Sequence, residues 1–117
     1  MKINGKEINF RLTVLAATEI ADLCPDGDLD RLPEIMEGSF SKTARSVAKF
    51  VVALNRGYEI AVHGSADNCI TENEILSLDM EEFQKLTDEA VASFQGDAQT
   101  EVKAKPKKKD EAKGEAV

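Results

Sequence analysis

The sequence predicts a mainly α fold: a small helical domain over residues 1–95, opened by a short N-terminal β-hairpin and followed by a disordered C-terminal tail over residues 96–117. Three observations carry this prediction. Apolar residues recur at steps of three and four through most of the first 95 positions, the spacing of one helix face. Asn4–Gly5 separates two short segments at the start, and both residues tolerate the positive φ that a tight hairpin turn needs. After Phe94 the apolar pattern stops, and Lys, Glu, Asp and Ala take over. Such a segment buries too little surface to offset its chain entropy.

Met1–Ile3 and Lys6–Thr13 are the hairpin strands, with Ile8, Phe10 and Leu12 alternating on one face that must rest on helices, since a lone two-stranded hairpin is marginal. A first helix is expected from Val14 to Cys24, with Leu12, Ala16, Ile20, Leu23 and Cys24 on its inner face and Thr18, Glu19 and Asp22 facing away. Pro25 ends it, and Asp26–Gly27–Asp28 reads as a turn, because the later ligands of a calcium loop do not follow at the required spacing. Leu29–Glu37 is a short helix with Pro33 in its first turn and Gly38 as its stop.

Ser39 or Ser41 then caps the longest helix, Lys42–His63, whose core stripe is Ala44, Val47, Ala48, Val51, Leu54 and Tyr58. Gly57 lies inside it, at a cost of about 1 kcal/mol relative to Ala, and marks a place where the helix is expected to bend or break. Gly64 is suited to close it, and His63, the only histidine, reads as a helix-end residue. Ser65–Asn68 is a loop. Thr71 with Glu74 makes a capping box for a short helix to Leu76. Asp79 caps a last helix, Met80–Gln95, with Phe83, Leu86, Ala90, Val91 and Phe94 inward and Glu81, Glu82, Asp88 and Glu89 outward.

The core has to be built from Leu, Ile, Val and Ala, because the chain has five Phe, one Tyr and no Trp. A chain of 117 residues buries a modest core with no room for a large catalytic cavity beside it. Residues 1–95 hold nine Lys and Arg against seventeen Asp and Glu, a net charge of -8. An acidic body repels phosphate backbones, so no nucleic-acid partner is expected for the folded part. No apolar run approaches the roughly 18–20 residues that span a bilayer, and no signal peptide precedes the domain, so the expectation is a cytoplasmic protein without membrane contact. Cys24 and Cys69 have no Cys-x-x-Cys spacing and read as two reduced, buried thiols, although their number alone allows a disulfide. No nucleophile elbow, phosphate loop or metal-ligand set occurs, so the chain is read as a non-enzyme with no catalytic, cofactor-binding or metal residues.

Two patterns remain. Lys42, Arg45, Lys49 and Arg56 run along one side of the long helix at offsets 0, +3, +7 and +14 and form a candidate interface. This basic stripe and the acidic face of the last helix are complementary, either within one molecule or between copies of a homo-oligomer; the plain alternative is a solvated helix face. The second pattern is Lys105–Pro106–Lys107–Lys108–Lys109 in the tail. Consecutive lysine codons require an A-rich tract, which is where a ribosome can slip.

In layout, residues 1–95 resemble the tail assembly chaperones of long-tailed bacteriophages and prophages. The likeness rests on the hairpin Met1-Lys-Ile-Asn-Gly-Lys-Glu-Ile-Asn-Phe10, on Ala17-Thr-Glu-Ile20, on a long helix ending Ala53-Leu-Asn-Arg-Gly-Tyr-Glu-Ile-Ala61, and on Ile70-Thr-Glu-Asn-Glu-Ile-Leu-Ser-Leu78 before a final amphipathic helix. The lysine run adds to it, because members of this family often end near a programmed translational frameshift. The resemblance implies a protein that binds the tape measure protein, keeps it soluble, and helps recruit the tail tube protein through a frameshifted extension. It also implies self-association, action in the host bacterial cytoplasm and absence from the mature virion. It transfers no individual site residues. Two other classes stay open: an acidic structural virion component, and a charge-mimic inhibitor of a nucleic-acid enzyme.

Overall fold

A computed structural model describes residues 2–104, with side chains through residue 96. The chain is helical, with an antiparallel hairpin at its N-terminus. In order it forms β1 (Lys2–Ile3), β2 (Lys6–Glu7), α1 (Val14–Ala21), single 3-10 turns at Pro25–Gly27 and Leu29–Arg31, α2 (Leu32–Met36), α3 (Phe40–His63), α4 (Glu72–Leu76) and α5 (Met80–Ala104). The long helix α3 is the spine, and α1, α2, α4 and α5 all pack on it.

Asn4 and Gly5 turn the hairpin with φ of 53° and 82°. Its ladder pairs Lys2 with Glu7 and Ile3 with Lys6. Pairing stops there, earlier than the strand expected through Thr13, because β1 is two residues long and the following backbone groups find partners on the helices. The Arg11 amide donates to the Leu54 carbonyl at 3.1 Å, and the Asn9 carbonyl accepts from Asn55 Nδ2 at 2.8 Å. Residues 8–13 are therefore an extended arm laid along α3. The alternation of Ile8, Phe10 and Leu12 still does its expected work, since Ile8 is buried and the other two pack against the core.

Thr13 caps α1 by accepting from the Ala16 amide at 3.1 Å. The helix ends at Ala21 rather than Cys24, and Leu23 and Cys24 follow in tighter turns back to Ile20 and Ala21. The helix expected over Leu29–Glu37 is divided. Asp28 caps a 3-10 turn through Arg31, and the α-helix proper holds only Leu32–Met36, with Pro33 in its first turn. α3 starts at Phe40, two residues before the expected Lys42, and Gly64 closes it in the left-handed conformation at φ 75°. Its buried face includes Phe50 and Ala53 beside the predicted Val47, Ala48, Val51 and Leu54.

Gly57 does not break α3. It admits the arm instead: a Cβ at this position would lie 2.7 Å from the Arg11 carbonyl oxygen, 2.9 Å from Thr13 Oγ1 and 3.1 Å from Ala16 Cβ. The Thr71–Glu74 capping box forms as the sequence indicates, and Asp79 accepts from the Glu82 amide at 3.0 Å. α5 buries Phe83, Leu86 and Ala90. Edge-on ring contacts join it to α3, Phe40 to Phe83 and Phe50 to Phe94, each with centroids 5.5 Å apart. α5 runs past the expected Gln95 to Ala104. The residues concerned include Ala, Gln, Glu and Lys, which are good helix formers. The lysine run at 105–109 lies outside the described residues, as does the rest of the expected tail to residue 117.

Candidate interaction surfaces

The four stripe residues do not form one continuous free surface. Arg56 is half-buried and its Nη1 donates to Glu19 Oε2 on α1 at 2.8 Å. Arg45, 79% exposed at its side chain, reaches Glu72 of α4 at 3.7 Å. Lys42 and Lys49 are exposed. Lys49 lines a cleft of about 210 Å³ between α1, α3 and α4, together with Glu19, Leu23, Val52, Arg56 and Glu72. The stripe thus finds its acidic partners within the molecule on α1 and α4, where the sequence reading offered the acidic face of the last helix. Glu19 was expected to face away from the fold. It instead turns toward α3, because a guanidinium one side chain away competes well with water for its carboxylate. The Arg45 pair is long and solvated, and contributes little to stability.

One interior polar group is a fastener. Asn55 is fully buried on α3. Its Nδ2 donates to the Asn9 carbonyl at 2.8 Å, and its Oδ1 accepts from the Ile70 amide at 2.8 Å. One side chain therefore ties both the N-terminal arm and the segment before α4 to the spine. Glu74 does the same at the surface. It accepts from the Thr71 amide at 2.9 Å, from Asn4 Nδ2 at 3.2 Å and from Lys6 Nζ at 3.3 Å. Those donors, the Thr71 amide first, hold its carboxyl down at about 2.

The two cysteines are free; Cys24 is buried, but Cys69 is half-buried, against the expectation of two buried thiols. Burial pushes the Cys69 thiol up to about 11, so at neutral pH it is protonated and a poor nucleophile. Burial, with the Asp28 carboxylate beside it, also raises Cys24. His63 is exposed at the end of α3, with its ring edge-on to Tyr58. Among the described residues no three His, Cys, Asp or Glu side chains are grouped to hold a metal ion, and no helix is long and apolar enough to cross a membrane.

A second surface was not legible as such. An apolar groove of about 310 Å³ opens between the segment 29–37 and α5. Leu29, Leu32 and Met36 make one wall, Val91 and Phe94 the other, and Phe50 of α3 the floor. Glu37 and Gln95 stand at its rim. Leu32 and Phe50 are buried, whereas Leu29, Met36, Val91 and Phe94 remain part-exposed. Leu29, Leu32 and Met36 fall at i, i+3 and i+7, a spacing that marks an apolar face but not whether the rest of the molecule covers it. Here α2 is only five residues long and its packing on the body leaves half of that face open.

Scans with protein-family models and comparisons with curated proteins and solved structures find no match to this chain.

Proposed function

We propose that this chain is a tail assembly chaperone of a long-tailed bacteriophage or prophage, a non-enzymatic protein that binds the tape measure protein and, through an extended translation product, helps bring in tail tube subunits. The observation that carries the reading is the open apolar groove on an otherwise acidic helical domain. A tape measure protein is a long, helix-rich chain whose apolar stripes aggregate when bare. A groove walled by Leu, Met, Val and Phe takes such a stripe in the helix-in-groove manner. The negative charge of the body keeps the complex soluble. Many copies along one tape measure would act in the host cytoplasm and leave before the virion is complete.

The hairpin followed by packed helices supports the same reading, being the layout on which the family resemblance rests. A charge mimic of nucleic acid requires carboxylates spread evenly over one face, and the exposed Lys42, Arg45 and Lys49 interrupt such a face on α3. A structural virion component is separated by the fate of the protein, since it would persist in purified particles.

Co-expression tests the proposal. A tape measure fragment encoded beside this chain, insoluble alone, is expected to become soluble and to co-purify with it. The coding DNA is expected to carry a slippery A-rich heptamer at Lys107–Lys109 with an open -1 frame beyond it. A fragment that stays insoluble, together with a chain retained in mature particles, would overturn the chaperone reading in favour of the virion component.

A further inference from the structure

We infer that the groove between residues 29–37 and α5 is a docking site for a basic amphipathic helix, one with apolar side chains on one face and Lys or Arg along its flanks. The inference rests on the chaperone reading only for its biological setting; the surface and the chemistry of its ligand come from the groove itself.

The argument is one of shape and charge. The lining holds seven apolar side chains and no Lys or Arg, and its one charged member is Glu37. Both banks are acidic. The first carries Asp26, Asp28, Asp30, Glu34 and Glu37 against a single Arg31. That arginine is already engaged, with Glu34 at 2.7 Å and Asp26 at 2.7 Å. On α5 the exposed Asp88 stands one turn before Val91 and two before Gln95, and no Lys or Arg lies between them. An acidic or neutral helix laid here would bring its own carboxylates toward these banks or leave them unmatched. A helix with cationic flanks gains on both sides while its apolar face fills the slot. A volume near 310 Å³ lies at the small end of the range for binding clefts, which suits a few side-chain anchors better than a whole small-molecule cofactor.

The wall opposite α5 is also built to adapt. Every hydrogen bond described for residues 25–37 stays within residues 24–37, so side-chain packing alone holds this segment to the body. Met36, part-exposed on that wall, is the side chain best able to conform to different apolar anchors.

The test uses the full chain with Gln95→Trp at the rim, a unique fluorophore because the protein has no tryptophan of its own. Three synthetic peptides of about 18 residues, five helical turns, serve as probes. The first is a Leu/Lys peptide with Leu at helical spacing, the second has Glu in place of each Lys, and the third is a scramble of the first. The Leu/Lys helix is expected to shift the tryptophan emission and to bind at least tenfold more tightly than either control. Adding Met36→Lys should weaken it tenfold or more with the helical circular dichroism retained. Glu37→Lys should weaken it severalfold and flatten its salt dependence. Should Met36→Lys fail to fold, Gln95→Arg in the wild-type background, read by anisotropy of a dye on the peptide, serves in its place, with the same tenfold loss expected. Equal binding of the scramble would reduce the effect to charge attraction and overturn the inference. So would unchanged binding to the groove variants, or sedimentation showing the groove closed by a second copy of the chain. Loss of peptide binding with a tape measure fragment still solubilised would strike this site while leaving the chaperone reading intact. The converse result would strike the chaperone reading alone.

Discussion

Asn55→Ala should be among the most damaging single substitutions outside the apolar core. The side chain is fully buried and makes two bonds of 2.8 Å, to the Asn9 carbonyl and from the Ile70 amide. Alanine removes both partners at once. The Ile70 amide is then left buried without an acceptor, which costs about 1–3 kcal/mol. The Asn9 carbonyl, in a part-buried position, recovers some water and loses less, about 1 kcal/mol. Alanine returns about 0.5 kcal/mol as the better helix former. The net expectation is a loss of about 2–3 kcal/mol, a large share of a small domain's stability. Urea unfolding followed by circular dichroism gives the number. Hydrogen exchange gives the location, with the Ile70 amide losing protection well beyond the global change. Asn55→Asp is the companion variant, since it keeps an acceptor for Ile70 but loses the donor to Asn9 and buries a charge; it should be no better than alanine. A loss below about 1 kcal/mol for Asn55→Ala, with Ile70 still protected, would refute the argument that this side chain fastens the arm and the α4 approach to the spine.

Gly57→Ala should destabilise by about 1–2 kcal/mol in thermal unfolding despite the higher helix propensity of alanine, because the new methyl meets the Arg11 carbonyl at 2.7 Å, and that arm must shift. Glu74→Gln should cost about 1 kcal/mol at pH 7 after allowance for solvent screening. The Glu74 carboxyl lies below its ordinary 4.5 at about 2, so its contribution is present above pH 4.5 and fades as the pH falls toward 2; the stability curves of the wild type and the Glu74→Gln variant should converge over that interval. Self-association, if carried by the stripe, should be stronger at low salt and fall with Arg45→Glu plus Lys49→Glu in sedimentation, while Arg56→Glu acts mainly on stability through the lost Glu19 pair. A strictly monomeric chain at high concentration and low salt would remove the oligomer from the reading.

The features legible in the sequence are those whose causes are local. Asn4–Gly5 sets the hairpin turn, Thr71 with Glu74 caps α4, Asp79 caps α5 and Gly64 closes α3, each within a few residues of the signal. What escaped depends on partners far along the chain. Asn55 reads as an indifferent helix residue until Asn9 and Ile70 arrive from 46 and 15 positions away. Its one visible signal was a polar residue beside Val51, Leu54 and Tyr58 on the inward stripe of α3. Glu19 falls on the outer side of α1 by periodicity, yet Arg56 draws it inward. Gly57 carries an ambiguous signal, because helix weakness and close approach of another backbone both call for glycine. The stripe was visible as a pattern, but only the packing of α1 and α4 on α3 decides which of its members remain free.

The distribution of fasteners across the molecule bears on where a partner could bind. Directional bonds concentrate on the hairpin, the arm and the α3–α4 side: Asn55 to Asn9 and Ile70, Glu74 to Asn4 and Lys6, Arg11 to Leu54. Hydrogen bonds have preferred geometry, so this side is held in one arrangement. The α2–α5 side is joined to the body largely by apolar and ring contacts, with one long bond from Ser93 Oγ to the Phe10 carbonyl at 3.5 Å, and burial of apolar surface carries no such directional demand. Side chains there can exchange one apolar neighbour for another without stranding a polar group. On the proposed chaperone reading, a domain that covers unlike stretches of a long helical partner needs a fixed frame and one accommodating face. The groove lies on the face that meets the second requirement, while Lys42 and Lys49 are exposed on α3 and do not line it.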